Sequence, residues 1–351
     1  MTEKIRVGMV GFGLAGRVFH APVIASVPAL QLATVVERHG EESRRIYPDV
    51  EVVRDVEHLL EDDDIDLVVV TTPNVSHFEI ARSALLADKH VVVEKPFTIT
   101  SEEARELTVL SHRQGRVLSV HQNRRWDGDF LTVRRILGAG MLGRIVEYES
   151  HFDRFRNQPR AGAWREEAQP GSGLLYDLGP HLIDQALVLF GPPQLVSADI
   201  RTQRDGGKAD DYFDLTLHYE DHTARLKAGM LVREPTAHFT IHGSEGSFVK
   251  YGLDPQEDAL KRGLVPSETP GWGEEPEERW GVLNAQVNGL HVRGKVETLP
   301  GSYPGYYQNV ADAIQGRAPL EVTPEAASAT MRVMELAIES SREKMALAFE
   351  E

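Results

Sequence analysis

Three groups of residues in this chain have types and spacings suited to joint chemistry. Lys95 stands in Glu94-Lys95-Pro96, directly after the apolar run His90–Val93. About eighty residues upstream, Val7–Val10 runs into Gly11-Phe12-Gly13-Leu14-Ala15-Gly16, and about eighty residues downstream lies Asp177-Leu178-Gly179-Pro180-His181. A lysine at a strand's carboxyl end is poorly explained as a solvated surface charge. Its ammonium can stabilise a developing alkoxide or relay a proton. Pro96 stiffens the next step and admits a cis peptide, a bond that marks constrained functional turns. Glu94 is either the lysine's partner or points away. Asp177 and His181 are spaced i, i+4, so a helix would carry both on one face. Gly179-Pro180 predicts that this helix starts there, with Asp177 at or before its cap. Histidine can take a hydroxyl proton near neutral pH as hydride leaves the carbinol carbon, and Asp177 can orient it and stabilise the imidazolium. Alone, Asp177 reads as a cap and His181 as a satisfied core histidine. Beside Lys95 and the glycine turn, the three read as hydride chemistry on a hydroxyl-bearing small molecule.

The glycine turn, between a strand and a helix, reads as a dinucleotide cradle, the alternative being a glycine-rich turn in a non-binding α/β domain. Gly11 permits the tight exit from the strand, Gly13 lets backbone approach a pyrophosphate, and Gly16 lets helix and strand pack closely, with Phe12 and Leu14 completing the turn. The helix that follows turns its unpaired N–H groups to the phosphates. The second strand ends at Glu37-Arg38, about twenty residues on. Glu37 can accept hydrogen bonds from an adenosine ribose and repel a 2′-phosphate, whereas Arg38 can pair with that phosphate or stack on adenine. Glu37 tips the expectation to NAD, with NADP the rival. Thr71-Thr72-Pro73-Asn74 and His77 fall at the end of the strand at 67–70, on the crevice side where such sheets bind ligands. Asn74 also suits a cap for the next helix, and His77 a place on that helix's surface.

Further candidate ligand residues come after the strand at 117–120, Asn123 and Arg124 for the cofactor and Arg125, Asp153, Trp164, Arg165 and Tyr176 for the substrate. Asn123-Arg124-Arg125-Trp126-Asp127 should line the crevice between the domains. His151 and Asp153 alternate on a strand face, and Trp164-Arg165 and Tyr176 lie in the loop leading to Asp177. These can hydrogen-bond or stack against a sugar-like ring, or serve as packing between domains. No metal site is expected: the fourteen histidines are scattered without ligand spacing, and Asp62-Asp63-Asp64 lacks the glycine and terminal glutamate of a calcium loop.

The elements that must position these groups alternate through residue 122. Apolar runs at 5–10, 32–36, 67–70, 91–93 and 117–120 are short, β-branched and nearly continuous, as in strands buried on both faces of a parallel sheet. Helical stretches at 15–26, 56–61, 77–87 and 101–114 separate them, the last opened by Ser101 with Glu102 and Glu103 in its first turn. This is a doubly wound α/β domain. Beyond it the rhythm changes: a helix at 129–137, then strands at 144–155, 195–202, 212–219, 223–229, 237–242 and 247–251, interrupted by a helix near 181–190. Close turns between consecutive strands predict a largely antiparallel sheet. Residues 252–305, rich in Gly, Pro and Glu, read as an excursion (a lid, an arm or a solvated loop), and two helices, about 306–315 and 324–345, close the chain.

Composition bounds the function. The 54 acidic and 38 basic residues give a net charge of −16, which argues against a nucleic-acid or anionic-membrane surface. Cysteine is absent, so disulfides, thiolate catalysis and cysteine-bound metals are excluded. Met1–Arg6 leads straight into a strand with no apolar signal segment, and no run approaches a membrane span, so a cytoplasmic protein is expected.

At these residues the sequence resembles the family of glucose–fructose oxidoreductase and inositol dehydrogenase, over essentially the whole chain. The likeness rests on Gly11–Gly16 with Val18-Phe19-His20-Ala21-Pro22, on Thr71-Thr72-Pro73-Asn74 with His77, on Glu94-Lys95-Pro96, and on Asp177-x-Gly179-x-His181. His121–Asp127, Trp164-Arg165-Glu166 and Lys250–Glu257 are similar to the scyllo-inositol dehydrogenase branch in particular, which is typically NADP-dependent. The resemblance implies an N-terminal Rossmann domain (1–122) and a C-terminal α/β domain (123–351) whose large, mostly antiparallel open sheet mediates dimers or tetramers, with the last helices free to pack back on the first domain. It implies Lys95, Asp177 and His181 as the catalytic set. Glu37 stands where NADP-preferring relatives often carry a small hydroxyl residue, which bears on the cofactor and leaves the reaction untouched. The expected activity is NAD(P)-dependent interconversion of a ring alcohol and ketone on a polyol or sugar. An NAD-dependent glycosidase and a non-catalytic dinucleotide-binding regulator are the alternatives on the same fold.

Overall fold

The computed structural model describes residues 4–160 and 162–350; the first three residues of the Met1–Arg6 lead lie outside them. The chain divides into two compact units, one of Met1–Trp126, Pro255–Trp272 and Ser302–Ser328, the other of Asp127–Asp254, Gly273–Gly301 and Ala329–Glu351.

The first unit is built on a six-stranded parallel sheet of β1 (Ile5–Val10), β2 (Leu30–Val36), β3 (Glu51–Val53), β4 (Leu67–Val70), β5 (His90–Val93) and β6 (Leu118–Val120), in the order β3-β2-β1-β4-β5-β6. The valine-rich runs of β4 and β5 are buried because helices cover a parallel sheet on both faces. The edge strand β3 is short and has no apolar run, so only pairing with β2 reveals it. The helices are α1 (Ala21–Ala25), α2 (Glu42–Ile46), α3 (Val56–Leu60), α4 (His77–Leu86) and α5 (Ser101–Gln114). The stretch expected as one helix at 15–26 splits into a π-helical turn, Ala15–His20, and α1. Pro22 has no N–H to continue a regular ladder there. Thr100, rather than Ser101, caps α5, in a reciprocal capping box with Glu103.

Two later segments return to this unit, carrying α8 (Gln256–Lys261) and α9 (Tyr303–Ile314). Gln256 is their hub. Its amide donates to the Trp126 carbonyl at 3.2 Å, and its oxygen accepts from the Tyr303 N–H and the Trp272 indole, both at 2.7 Å. Arg124 pairs with Glu257, and Arg125 donates to the carbonyl of Glu321.

The second unit carries β7 (Ile145–His151), β8 (Leu195–Arg201), β9 (Tyr212–His218), β10 (Thr223–Gly229), β11 (Ala237–Gly243), β12 (Gly246–Tyr251), β13 (Gly281–Val287), β14 (Leu290–Val296) and β15 (Leu347–Ala348). They form one sheet, β14-β13-β12-β11-β7-β10-β9-β8-β15, antiparallel except for β7 against β10. Here lie α6 (Gly128–Gly138) and α7 (Gly173–Phe190), which packs against β9 and β10; α10 (Pro324–Glu343) begins in the first unit and ends in the second.

Two further expectations need correction. The excursion at 252–305 is in part a β-hairpin: β13 and β14 turn at Asn288-Gly289, both at positive φ, and extend the sheet. The outermost strand, β14, is exposed and carries His291, Arg293 and Lys295, charges that discourage further pairing. Helix α7 starts at Gly173, well before Gly179-Pro180, so Pro180 lies inside it and Tyr176 lies on it rather than in a loop. The reason is tertiary. Asp210, from the loop before β9, accepts the Leu174 N–H on its carbonyl at 2.8 Å and the Leu175 N–H on its carboxylate at 2.7 Å. Among the described residues no helix is long and apolar enough to cross a membrane.

Candidate active site

In the first unit the glycine turn has the shape a pyrophosphate needs. Gly11 sits at φ +98°, open to glycine and strained for other residues. A Cβ on Gly16 would lie 2.5 Å from the Gly11 carbonyl, whereas one on Gly13 would meet nothing within 4 Å. The Gly13 face is therefore a bare backbone cradle, and these residues fit a dinucleotide. Phe12 is buried beneath the turn and Leu14 is exposed. Thr71, at the end of β4, ties the turn down by donating its hydroxyl to the Gly11 carbonyl at 2.7 Å.

At the end of β2 Glu37 is buried and turned into its own chain. Its carboxylate accepts the backbone N–H groups of Glu42 (3.1 Å) and Ser43 (2.8 Å) and the Ser43 hydroxyl, at the start of α2. Arg38 is exposed beside it. Arg44, Arg45 and Arg54 line a hollow of about 320 Å³ with Gly40 and Glu41.

Thr72 accepts the Ser76 hydroxyl at 2.8 Å. Pro73 is exposed, while Asn74 is buried and opens a 3-10 turn; Ser76, not Asn74, stands at the cap of α4. His77 is buried between loops rather than on the helix surface. Its ring nitrogens lie 2.9 Å from the Pro96 carbonyl and 3.0 Å from that of Thr72. Burial pushes its pKa down, against those two carbonyls, which favour the charged ring. Lys95 is half-buried at the end of β5, and the bond to Pro96 is cis. Asn123, Arg124 and Arg125 form a short helical turn after β6, with both arginines buried.

In the second unit α7 carries Asp177 and His181 one turn apart; Asp177 is a quarter exposed and His181 is buried. Two guanidinium groups flank Asp177, Arg165 at 3.6 Å and Arg154 at 3.9 Å. Asp177, Trp164 and Arg165 line a cavity of about 160 Å³ with Arg154, Arg204 and Asp210. The Arg165 guanidinium lies over the Trp164 ring at 4.7 Å. Arg204 is buried, donating to Asp211 at 2.8 Å and Glu166 at 2.9 Å, and so fixes the cavity wall. Burial pushes the Asp210 carboxyl up to about 6 against the Leu175 N–H that it accepts. Tyr176 lines a different hollow, with Leu175, Ile200 and Ser341. Asp153 lies just past β7, held by Thr236 at 2.9 Å and His151 at 3.1 Å.

Residues 5–122 match the family domain described as "Oxidoreductase family, NAD-binding Rossmann fold", and residues 134–349 the one described as "Oxidoreductase family, C-terminal alpha/beta domain". The chain belongs to the Gfo/Idh/MocA oxidoreductase family. Among Gfo/Idh/MocA relatives, the uncharacterized oxidoreductase YdgJ of Escherichia coli K12 is 45% identical over 99% of both chains. The scyllo-inositol 2-dehydrogenase (NADP(+)) IolW of Bacillus subtilis is 41% identical over 99% of this chain and 97% of that protein. The solved structure of the putative oxidoreductase yvaA from Bacillus subtilis superposes with a TM-score of 0.96 at 40% identity, covering 100% of this chain and 99% of that one.

Several residues of this Gfo/Idh/MocA chain escape sequence reasoning. Arg154, Arg204 and Asp210 carry no local signal, because their neighbours are distant in sequence. His20, Glu94 and His121 do carry one, since each stands in a stretch that marks the family. What the spacing hides is that the fold gathers their donor atoms within 4.8 Å of one another.

Proposed function

We propose that this protein is a dehydrogenase that interconverts a ring secondary alcohol and its ketone on a cyclic polyol, scyllo-inositol being the leading candidate, with NADP as cofactor. The observation that carries the reading is Lys95 at the carboxyl end of β5, on the same sheet edge as the bare Gly13 cradle, in a chain alike end to end to a scyllo-inositol dehydrogenase. In this reading the first unit holds the dinucleotide and the second contributes the substrate residues and the sheet through which copies associate. Bound nicotinamide supplies or accepts the hydride. The Lys95 ammonium donates a hydrogen bond to the substrate oxygen and stabilises its developing negative charge. The His181 imidazole takes the hydroxyl proton during oxidation, and Asp177 orients it and stabilises the imidazolium. Trp164 and Arg165 present a flat, polar-edged surface suited to a ring with many hydroxyls.

The choice of NADP departs from the expectation drawn from Glu37. Three hydrogen bonds within the chain occupy that carboxylate, and the exposed Arg38 beside it can pair with a 2′-phosphate. The test is steady-state turnover of a panel of inositols and sugars with each cofactor. We expect kcat/KM for scyllo-inositol to be higher with NADP by about tenfold or more, and Arg38→Ala to narrow the gap mainly through KM. Failure of every ring polyol to drive cofactor reduction would overturn the reaction, and a preference for NAD would overturn the cofactor.

A further inference from the structure

Next to Lys95 in sequence, Glu94 joins a hydrogen-bonded chain of four side chains from four separate stretches of the first unit. One oxygen of Glu94 receives two imidazoles, His20 Nε2 at 3.0 Å and His121 Nδ1 at 3.3 Å. The far nitrogen of His20 meets the Tyr307 hydroxyl at 2.5 Å. His20, His121 and Tyr307 are buried, and the Glu94 side chain nearly so. The two imidazole rings lie 4.0 Å apart, and Tyr306 closes the far side edge-on at 5.0 Å from His121. A carboxylate can only accept, so each imidazole must present an N–H to it. That places a proton on His20 Nε2, whose other ring nitrogen faces the Tyr307 hydroxyl, and leaves the proton of His121 on Nδ1. Its Nε2 is then a buried lone pair with no hydrogen-bond partner among the described residues.

The charge pattern follows. Burial alone would push the Glu94 carboxyl up, but the N–H groups of His121 and His20 outweigh it and hold the group well below the usual carboxylate range. Burial, the neighbouring His20 and the Lys95 ammonium hold His121 down at about 4, so that ring is neutral. Burial and the Glu94 charge keep the Tyr306 and Tyr307 phenols protonated. The charged and titratable groups around Glu94 are therefore His20, His121, Lys95, Tyr306 and Tyr307, with His77 within electrostatic reach. Two imidazole N–H groups, one of them on the neutral His121 ring, point at one fixed anion.

We propose that His20, Glu94, His121 and Tyr307 are positioning residues for Lys95, seating the backbone from which it extends and keeping one permanent negative charge on the residue directly before it. His77 completes the seat by holding the Pro96 carbonyl on the other side of the lysine. The proposal rests on Lys95 acting as in the preceding section, but its main test does not need the substrate.

The experiment is NMR of the full-length protein after reductive ¹³C-methylation, with Lys95→Arg used to assign the Lys95 signal and pH varied. Glu94→Gln keeps the shape and removes the charge, so the Lys95 midpoint should fall by about one unit or more. Two conservative variants guard against misfolding: His121→Asn and His20→Gln each keep an N–H aimed at Glu94 and should leave the midpoint within about half a unit of wild type. In turnover assays Glu94→Gln should shift the pH limb of kcat/KM in the same direction, with dinucleotide affinity unchanged. An unmoved Lys95 midpoint in a folded Glu94→Gln protein overturns the proposal, whether or not a polyol is turned over. So does a stoichiometric metal in the purified wild type that is lost in His121→Asn, because the donors would then serve an ion.

Discussion

Lys95 is bracketed by two anchored neighbours, the Glu94 carboxylate in its imidazole clamp and the Pro96 carbonyl on His77. Its work is expected in the chemical step and little in cofactor binding, because the proposed function gives the pyrophosphate contacts to the Gly11–Gly16 turn. Lys95→Ala should therefore lower kcat by about a hundredfold or more while changing dinucleotide affinity only a few-fold, measured by steady-state kinetics and fluorescence titration. An equal loss of both would make Lys95 a cofactor anchor. His181 is expected to set the rise of kcat/KM for alcohol oxidation through an imidazole-like pKa, and His181→Ala to abolish that inflection. A mutant profile identical to wild type would move the proton's route elsewhere.

Helix α7 shows how an element can be placed by a residue outside it. Asp177 and His181 share a face by spacing alone, but the start of the helix depends on Asp210, more than thirty residues further on. Asp210→Ala removes the acceptor for the Leu175 N–H and should cost about 1–2 kcal/mol of stability, read from urea unfolding. Because α7 carries both candidate catalytic groups, activity should fall further than the change in unfolded fraction explains. A variant as stable and as active as wild type would show that α7 is held from elsewhere. Glu37 makes the same point at the start of α2. A residue that suits the ribose by its position in sequence is taken up by the N–H groups of a short helix, which is why the function proposed above gives a 2′-phosphate to its arginine neighbour.

For the whole molecule, buried neutral histidines set the acid limit. Burial, aided by Arg116, holds His90 at about 4, and His121 is held there by burial, His20 and Lys95; His90 also accepts the Val117 N–H on its Nδ1. A histidine whose folded pKa lies below its unfolded value of about 6.5 contributes stability that is complete above that value and is lost as pH falls through the folded pKa. The stability of the first unit should thus decline between about pH 6.5 and 4, by on the order of 2–3 kcal/mol for a fully buried ring such as His121. His121→Asn should flatten that decline, as judged from denaturant unfolding at a series of pH values. Glu94, held low, adds a loss only at still lower pH.

Much of the architecture is legible in the chain. Valine-rich runs alternating with helices suit a parallel sheet buried on both faces, and period-two strands with close turns suit antiparallel pairing, so both sheet types follow from local pattern, whereas β3, the β13–β14 hairpin and the parallel pairing of β7 with β10 do not. The glycine turn and Glu94-Lys95-Pro96 are likewise local, because a tight turn and a strand end are made by adjacent residues. Family membership follows from the same stretches and is borne out across the chain. Tertiary structure alone decides what depends on partners remote in sequence. It brings His20, Glu94, His121 and Tyr307 into one hydrogen-bonded chain, sends Glu37 to Ser43, starts α7 at Gly173 and turns the 252–305 excursion into a strand pair at the sheet's edge. Each is the satisfaction of a buried polar group or an unpaired backbone N–H, and such groups are met by whatever acceptor the packing delivers, at no fixed distance along the chain.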